Sequence, residues 1–97
     1  MRVISGVARG TRLVELVDLE VRPTLDRVKE SFFNLIGQTL DGRTFLDLFA
    51  GTGAMGIEAL SRGAEKVFFV EKSAAAQVLI NRNLEKCRMV DQITRWQ

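Results

Sequence analysis

Three glycines and two acids set the chemistry this sequence can hold. Gly51, Gly53 and Gly56 stand in G-x-G-x-x-G spacing after the apolar run Phe45–Phe49, and a helical pattern follows them. A strand, a tight turn and a helix start in that order form the usual seat of a nucleotide-like ligand in an open α/β sheet. Gly51 permits the turn, Gly53 lets a ligand approach the backbone, and Gly56 lets helix and strand pack closely. The helix start offers unpaired N–H groups to an anion. Asp47 lies four residues before Gly51, and Glu71 lies twenty after it, at the end of the next apolar run. An acid there can accept two hydrogen bonds from a ribose diol.

Ribose and adenine leave two main ligands, NAD and S-adenosylmethionine. A dinucleotide brings a pyrophosphate to the loop, and a carboxylate beside it is repulsive. S-adenosylmethionine brings a sulfonium and an ammonium, so acids on both sides of the glycines suit it better. Asp47 has two roles open to it: pairing with the methionine ammonium, or holding the loop through its N–H groups. The expected cofactor set is Asp47, Phe49, Gly51, Gly53, Glu71 and Lys72. A Walker phosphate loop ends in Gly-Lys-Ser/Thr, and Ala54-Met55-Gly56 does not match it. No metal-ligand spacing is present, and there is no histidine to act as a base.

These groups need a scaffold. Residues 2–5 and 11–17 read as two short strands linked by Gly6–Gly10, a small β-hairpin. Arg22-Pro23-Thr24 reads as an extended approach to a helix, with Thr24 as its N-cap and Gly37 as its stop. Leu25, Val28, Phe32, Leu35 and Ile36 recur at helical spacing and predict its buried face, with Phe33 and Asn34 at the margin. Asp41-Gly42 is a turn before a strand over 44–49. A helix over 54–62 should bury Met55, Ile57, Ala59 and Leu60. The run Val67-Phe68-Phe69-Val70 predicts a strand covered on both faces. Ser73 caps a helix over 74–87, with Ala76, Leu79, Ile80, Leu84 and Cys87 inward, and 92–96 begins another strand. From residue 44 the pattern is strand, helix, strand, helix, strand. Right-handed crossovers then lay parallel strands side by side, with the first at one end of the row. The expected organisation is a hairpin extension over 1–21 and a partial Rossmann-like domain over 22–97.

Composition sets outer limits. The chain has 97 residues, of which 46% are hydrophobic and 27% charged, the balance of a globular domain rather than a disordered one. No run is long enough to span a membrane and no signal-peptide pattern is visible. Cys87 is the one cysteine, so a cytoplasmic location is expected. The net charge of +2 is too small to show nucleic-acid binding. Residues 1–14, however, contain Arg2, Arg9 and Arg12 and no acid, a small patch that could meet phosphates.

Several motifs together resemble the RsmD family, bacterial small-subunit ribosomal RNA guanine-N2 methyltransferases often labelled N6-adenine-specific methylases. They are R-V-I-S-G at 2–6, R-P-T-L-D-R-V-K-E at 22–30, F-F-N-L-I-G at 32–37, D-L-F-A-G-T-G-A-M-G-I-E-A-L-S-R-G at 47–63 and V-E-K at 70–72. The resemblance covers essentially the whole chain. It implies a Rossmann-like S-adenosylmethionine-dependent methyltransferase with an N-terminal hairpin. Asp47, Gly51 and Gly53 would line the methionine side of the cofactor, and Glu71 its ribose. Arg22 and Arg27 would lie near the cofactor mouth and the RNA, with Arg9 and Arg12 of the hairpin as further RNA contacts. The partners implied are ribosomal RNA or an immature small ribosomal subunit.

The family's chemistry sits on a later Asp/Asn-Pro-Pro-aromatic loop that holds the exocyclic amine and stacks the extruded base. The only proline here is Pro23, so these residues resemble roughly the N-terminal half of the enzyme, truncated in the third strand. No catalytic residue is therefore assigned, and the chain alone is expected to be inactive and to bind cofactor weakly at best. The strand over 44–49 would be left as an exposed apolar edge prone to self-association. Two other readings remain: an NAD-binding half-domain, and a non-catalytic fragment that binds RNA or protein.

Overall fold

The computed structural model describes residues 2–14, 22–48, 53–89 and 93–96, with backbone alone for 22–26 and 93–96. The elements follow as α1 (Arg22–Ile36), β1 (Thr44–Asp47), α2 (Ala54–Ser61), β2 (Lys66–Val70), α3 (Ala74–Lys86) and β3 (Ile93–Trp96). The strands form one parallel sheet in the order β1-β2-β3. The first strand stands at one end of the row, as the crossover rule requires. This is an α/β fold of the Rossmann-like kind.

The central core is built where the periodicity puts it. Val67 and Phe69 of β2 and Ile57, Ala59 and Leu60 of α2 are buried together with Ile80 and Leu84 of α3. A side chain at Gly56 would run into the Phe69 ring and Val67. Its hydrogen atom is therefore what lets α2 lie close on β2.

Three expectations fail in detail. The first concerns α1, which begins at Arg22 rather than after a Thr24 cap. Pro23 falls in the first turn, where an N–H has no intrahelical acceptor, so its missing donor costs nothing. The second concerns the buried face of α1. Val28 is 61% exposed and Leu35 86%, whereas Lys29 and Phe33 are fully buried. The helix is thus turned by one residue, about 100°, from the apolar stripe. Phe33 stacks on Phe45 with ring centres 5.9 Å apart, and the Arg62 guanidinium covers it at 4.7 Å. Lys29 is drawn inward by the Glu58 carboxylate at 3.1 Å. The third concerns β2, where Phe68 and Val70 are only partly buried. On the same side of β1, Leu46 is 51% exposed, so that face of the sheet is covered much less than the helix-bearing one.

Among the described residues, the expected hairpin is reduced to a single bridge. Arg2 and Arg12 form one antiparallel bridge, supported by Val3 N–H to Thr11 O at 2.9 Å and Gly10 N–H to Val3 O at 2.8 Å. Residues 15–17 of the expected second strand lie outside the described residues. Val3, Ala8 and Leu13 join the main core, so this segment packs against the helices rather than standing apart.

Candidate functional site

Asp47 ends β1 and is buried. Its Oδ2 accepts a hydrogen bond from the Gly56 N–H at 3.2 Å. Gly53 occupies the N-cap of α2 in a left-handed conformation (φ 84°) and makes no side-chain cap. A glycine there meets the backbone demand but leaves the first N–H groups of the helix without the usual side-chain acceptor. Asp47 supplies that acceptor from the neighbouring strand. Of its two expected roles, holding the loop is therefore the one visible in the geometry. Gly51 and Phe49 lie outside the described residues.

Glu71 follows the last residue of β2. Its Oε2 accepts from the Ser73 N–H at 3.0 Å, and its carbonyl accepts from the Gln77 amide at 2.6 Å. Ser73 caps α3 by accepting from the Ala76 N–H at 3.2 Å. The start of α3 thus fixes where the Glu71 carboxylate points. Lys72 beside it is exposed. Asp47 pairs in register with Phe69, two residues before Glu71. With strands about 4.8 Å apart and about 3.3 Å per residue, the two acidic residues' Cα atoms lie about 8 Å apart. Two carboxylates and the Gly53–Gly56 helix start therefore converge at one end of the sheet. No cluster of metal-ligating side chains occurs among the described residues.

The four arginines expected at RNA do not come together. Lys29 meets Glu58 and Phe33 meets Arg62, each pair one helical turn further along, so α1 and α2 run side by side in the same direction. The first turns of α1, with Arg22 and the exposed Arg27, accordingly lie toward the end of the sheet that carries Asp47 and Glu71. The side chain of Arg22 is outside the description. Arg9 and Arg12 are exposed at the opposite end. The Val7 N–H donates to Ser61 O at 2.9 Å, at the last residue of α2, where the strands begin.

Sequence reasoning missed a buried polar group. Glu58 lies in the apolar run of α2 and accepts from four donors. These are Ile4 N–H at 2.9 Å, Ser5 N–H at 3.1 Å, Lys29 Nζ at 3.1 Å and Arg62 Nε at 2.8 Å. The i,i+4 spacing of Glu58 and Arg62 was the available signal. Cys87 is partly buried, and burial pushes its thiol up, offset in part by a hydrogen bond with Thr11 and by nearby Lys86. It is a poor nucleophile near neutral pH.

Ribosomal RNA small subunit methyltransferase D of Haemophilus influenzae is 45% identical over 90% of this chain and 46% of its own length. The protein of that name from Escherichia coli K12 is 39% identical over 87% of this chain and 42% of its own. The solved structure of Escherichia coli yhhF superposes with a TM-score of 0.82 at 32% identity, covering 98% of this chain and 50% of that one. The chain thus spans about half the length of the relatives it matches. Residues 1–97 match the model of the family described as Conserved hypothetical protein 95, and the chain belongs to that family, the RsmD family of methyltransferases.

Proposed function

We propose that this chain is the cofactor-binding half of an S-adenosylmethionine-dependent methyltransferase that modifies a guanine N2 amine of small-subunit ribosomal RNA. The observation that carries the reading is the convergence of Asp47, the Gly53–Gly56 helix start and Glu71 at one end of adjacent parallel strands. Two relatives bear the name of a small-subunit ribosomal RNA methyltransferase, which supports the substrate class. The donor set suits the cofactor: Glu71 would take the ribose diol, and Asp47 would set the loop beneath the methionine moiety. Phe49, Gly51, Gly53 and Lys72 complete the expected lining. Bound there, the cofactor supplies an electrophilic methyl group.

The residues of this chain bind and orient; none is assigned to the amine. The Asp/Asn-Pro-Pro-aromatic loop that the family uses has no counterpart in these residues, whose only proline is Pro23. The chain alone is therefore expected to bind the cofactor weakly and to transfer no methyl group. NAD fits less well, because Asp47 stands where a pyrophosphate would approach. A cytoplasmic setting belongs to the same reading. Self-association through β1 is also proposed and is argued below.

Amide chemical-shift titration tests the cofactor. S-adenosylmethionine should move the Gly53, Gly56 and Ser73 signals with an affinity weaker than micromolar, and NAD should not. Asp47→Ala and Glu71→Ala should each weaken the response at least tenfold. A response to NAD alone would overturn the assignment.

A further inference from the structure

The start of α3 departs from the common capping box. In that arrangement a Glu or Gln three residues after the N-cap reaches back to the N-cap N–H. Ser73 is the N-cap, and its hydroxyl accepts from the Ala76 N–H at 3.2 Å. Ala76 is also the residue three on, and it has no polar side chain to return. The Ser73 N–H goes instead to Glu71 Oε2 at 3.0 Å. The Glu71 carboxylate thus supplies, from the strand side, the acceptor that the helix lacks. Gln77 is the first polar side chain within α3, after three alanines. It reaches back past the cap: its Nε2 donates to the Glu71 carbonyl at 2.6 Å. Its own N–H donates to Ser73 O at 3.0 Å, which fixes the turn from which the side chain extends.

Glu71 is therefore held at both ends by the first turn of one helix. Its carboxylate is held by the main chain of Ser73, which almost any residue there would supply. Its carbonyl is held by the side chain of Gln77, which few residue types can replace. The second hold matters because of where Glu71 stands. The ladder to β1 ends at Phe69 and the ladder to β3 ends at Val70. The register of the sheet does not extend to Glu71, and the Gln77 amide ties it to α3 instead. A carboxylate that accepts from both hydroxyls of a ribose must keep one direction, and keeping it beforehand lowers the cost of binding. A turn of the Glu71 main chain would swing the carboxylate off the diol. It would leave the Asp47 loop and the Gly53–Gly56 helix start as they are.

We propose that Gln77 is a positioning residue for ribose recognition: its amide holds the Glu71 main chain and so aims the Glu71 carboxylate at the diol. The inference rests on the cofactor reading above and adds to it the residue that sharpens one contact. Gln77 acts through Glu71, so its effect is confined to ligands that carry ribose hydroxyls.

The 97-residue chain is titrated with S-adenosylmethionine and with its 2′,3′-dideoxy analogue, followed by the Gly53 and Gly56 amide shifts. The unaltered chain should prefer the natural cofactor by about tenfold or more, the worth of hydrogen bonds to a charged group. Gln77→Met removes the donor. It should cut the preference below about threefold while leaving the dideoxy affinity within about twofold, the mark of a coupled pair. Gln77→Glu keeps the size and the helix propensity and exchanges the donor for an acceptor, so it serves if the Met variant fails to fold. It should lose the preference too, although its charge strengthens binding of both cationic ligands. Gln77→Lys keeps a donor of similar reach and should retain most of the preference, although its charge weakens both. Equal loss for the two ligands, an intact preference in the Met or Glu variant, or no preference in the unaltered chain would each overturn the proposal. Water exchange of the Ser73 N–H in the cofactor-free chain separates this claim from the cofactor reading. It should be faster in the Met and Glu variants, because the carboxylate that takes its proton is no longer held. Faster exchange without any response to S-adenosylmethionine would sink the cofactor reading and leave Gln77 as the residue that fixes Glu71. Unchanged exchange would overturn the role of Gln77 even where the cofactor binds.

Discussion

Glu58 shows how much of this fold hangs on a single side chain. Its two oxygens take four donors, which tie the N-terminal segment, α1 and α2 together. Two of the donors are cations that are themselves buried. Glu58→Gln keeps the size but leaves one acceptor oxygen and turns an N–H₂ group toward them. Removing one partner from a buried ion pair costs about 3–5 kcal/mol, and that loss is expected in urea unfolding. Glu85→Gln, on the exposed face of α3, should stay within about 0.5 kcal/mol. Equal midpoints for the two variants would show that the network contributes nothing. The role of Glu58 was hard to read in the sequence because an acid in a helix is ordinarily a surface residue. Only the fold reveals that α2 is buried nearly all round and needs its charge for the chain crossing beside it.

At the scale of elements, helices and strands from residue 44 onward were legible, because alternation, glycine stops and crossover rules all agree there. The orientation of α1 was not. Its apolar residues mark a true stripe, yet Val28 and Leu35 face outward while Lys29 and Phe33 face in. Periodicity reports that a stripe exists; what lies opposite decides which face the core takes. Here Phe45 and Arg62 offer ring and guanidinium surfaces that suit Phe33, and Glu58 offers a partner to Lys29. Phe33→Ala should therefore destabilise by about 3–5 kcal/mol, and Leu35→Ala by less than about 0.5 kcal/mol. Thermal unfolding of the two variants checks this, and the reverse order would restore the face read from spacing. The hairpin was only partly legible for a related reason. Much of its backbone bonds to Glu58, Ser61 and Asn83 rather than to a second strand, and such bonds leave no pattern in the segment itself.

For the molecule as a whole, the outward stripe of α1 and the open-face leucines of β1 flank one sheet edge from its two sides. Val28, Phe32, Leu35 and Ile36 are exposed on the helix, and Leu46 and Leu48 at the end strand of the sheet. At roughly 80–150 Å² for each such side chain, the two patches together expose several hundred Å² of apolar surface. The edge backbone between these patches offers N–H and C=O groups to a further strand. Antiparallel pairing of β1 with β1 of a second copy satisfies both needs. The two-fold axis then stands perpendicular to the sheet, so the two α1 stripes meet on one side and the Leu46 side chains on the other. Two copies would bury about 1,000 Å² or more, the threshold for a specific interface. Sedimentation should therefore show dimers at tens of micromolar. Leu46→Lys, which places a charge on the edge, should shift them to monomer, while Lys66→Gln at the start of β2 should not. Any polypeptide that supplies the remaining half of the relatives' length and pairs with β1 should dissociate the dimer in the same way. A clean monomer at these concentrations would mean that the edge and the stripe are each tolerated in water, and self-association would fall.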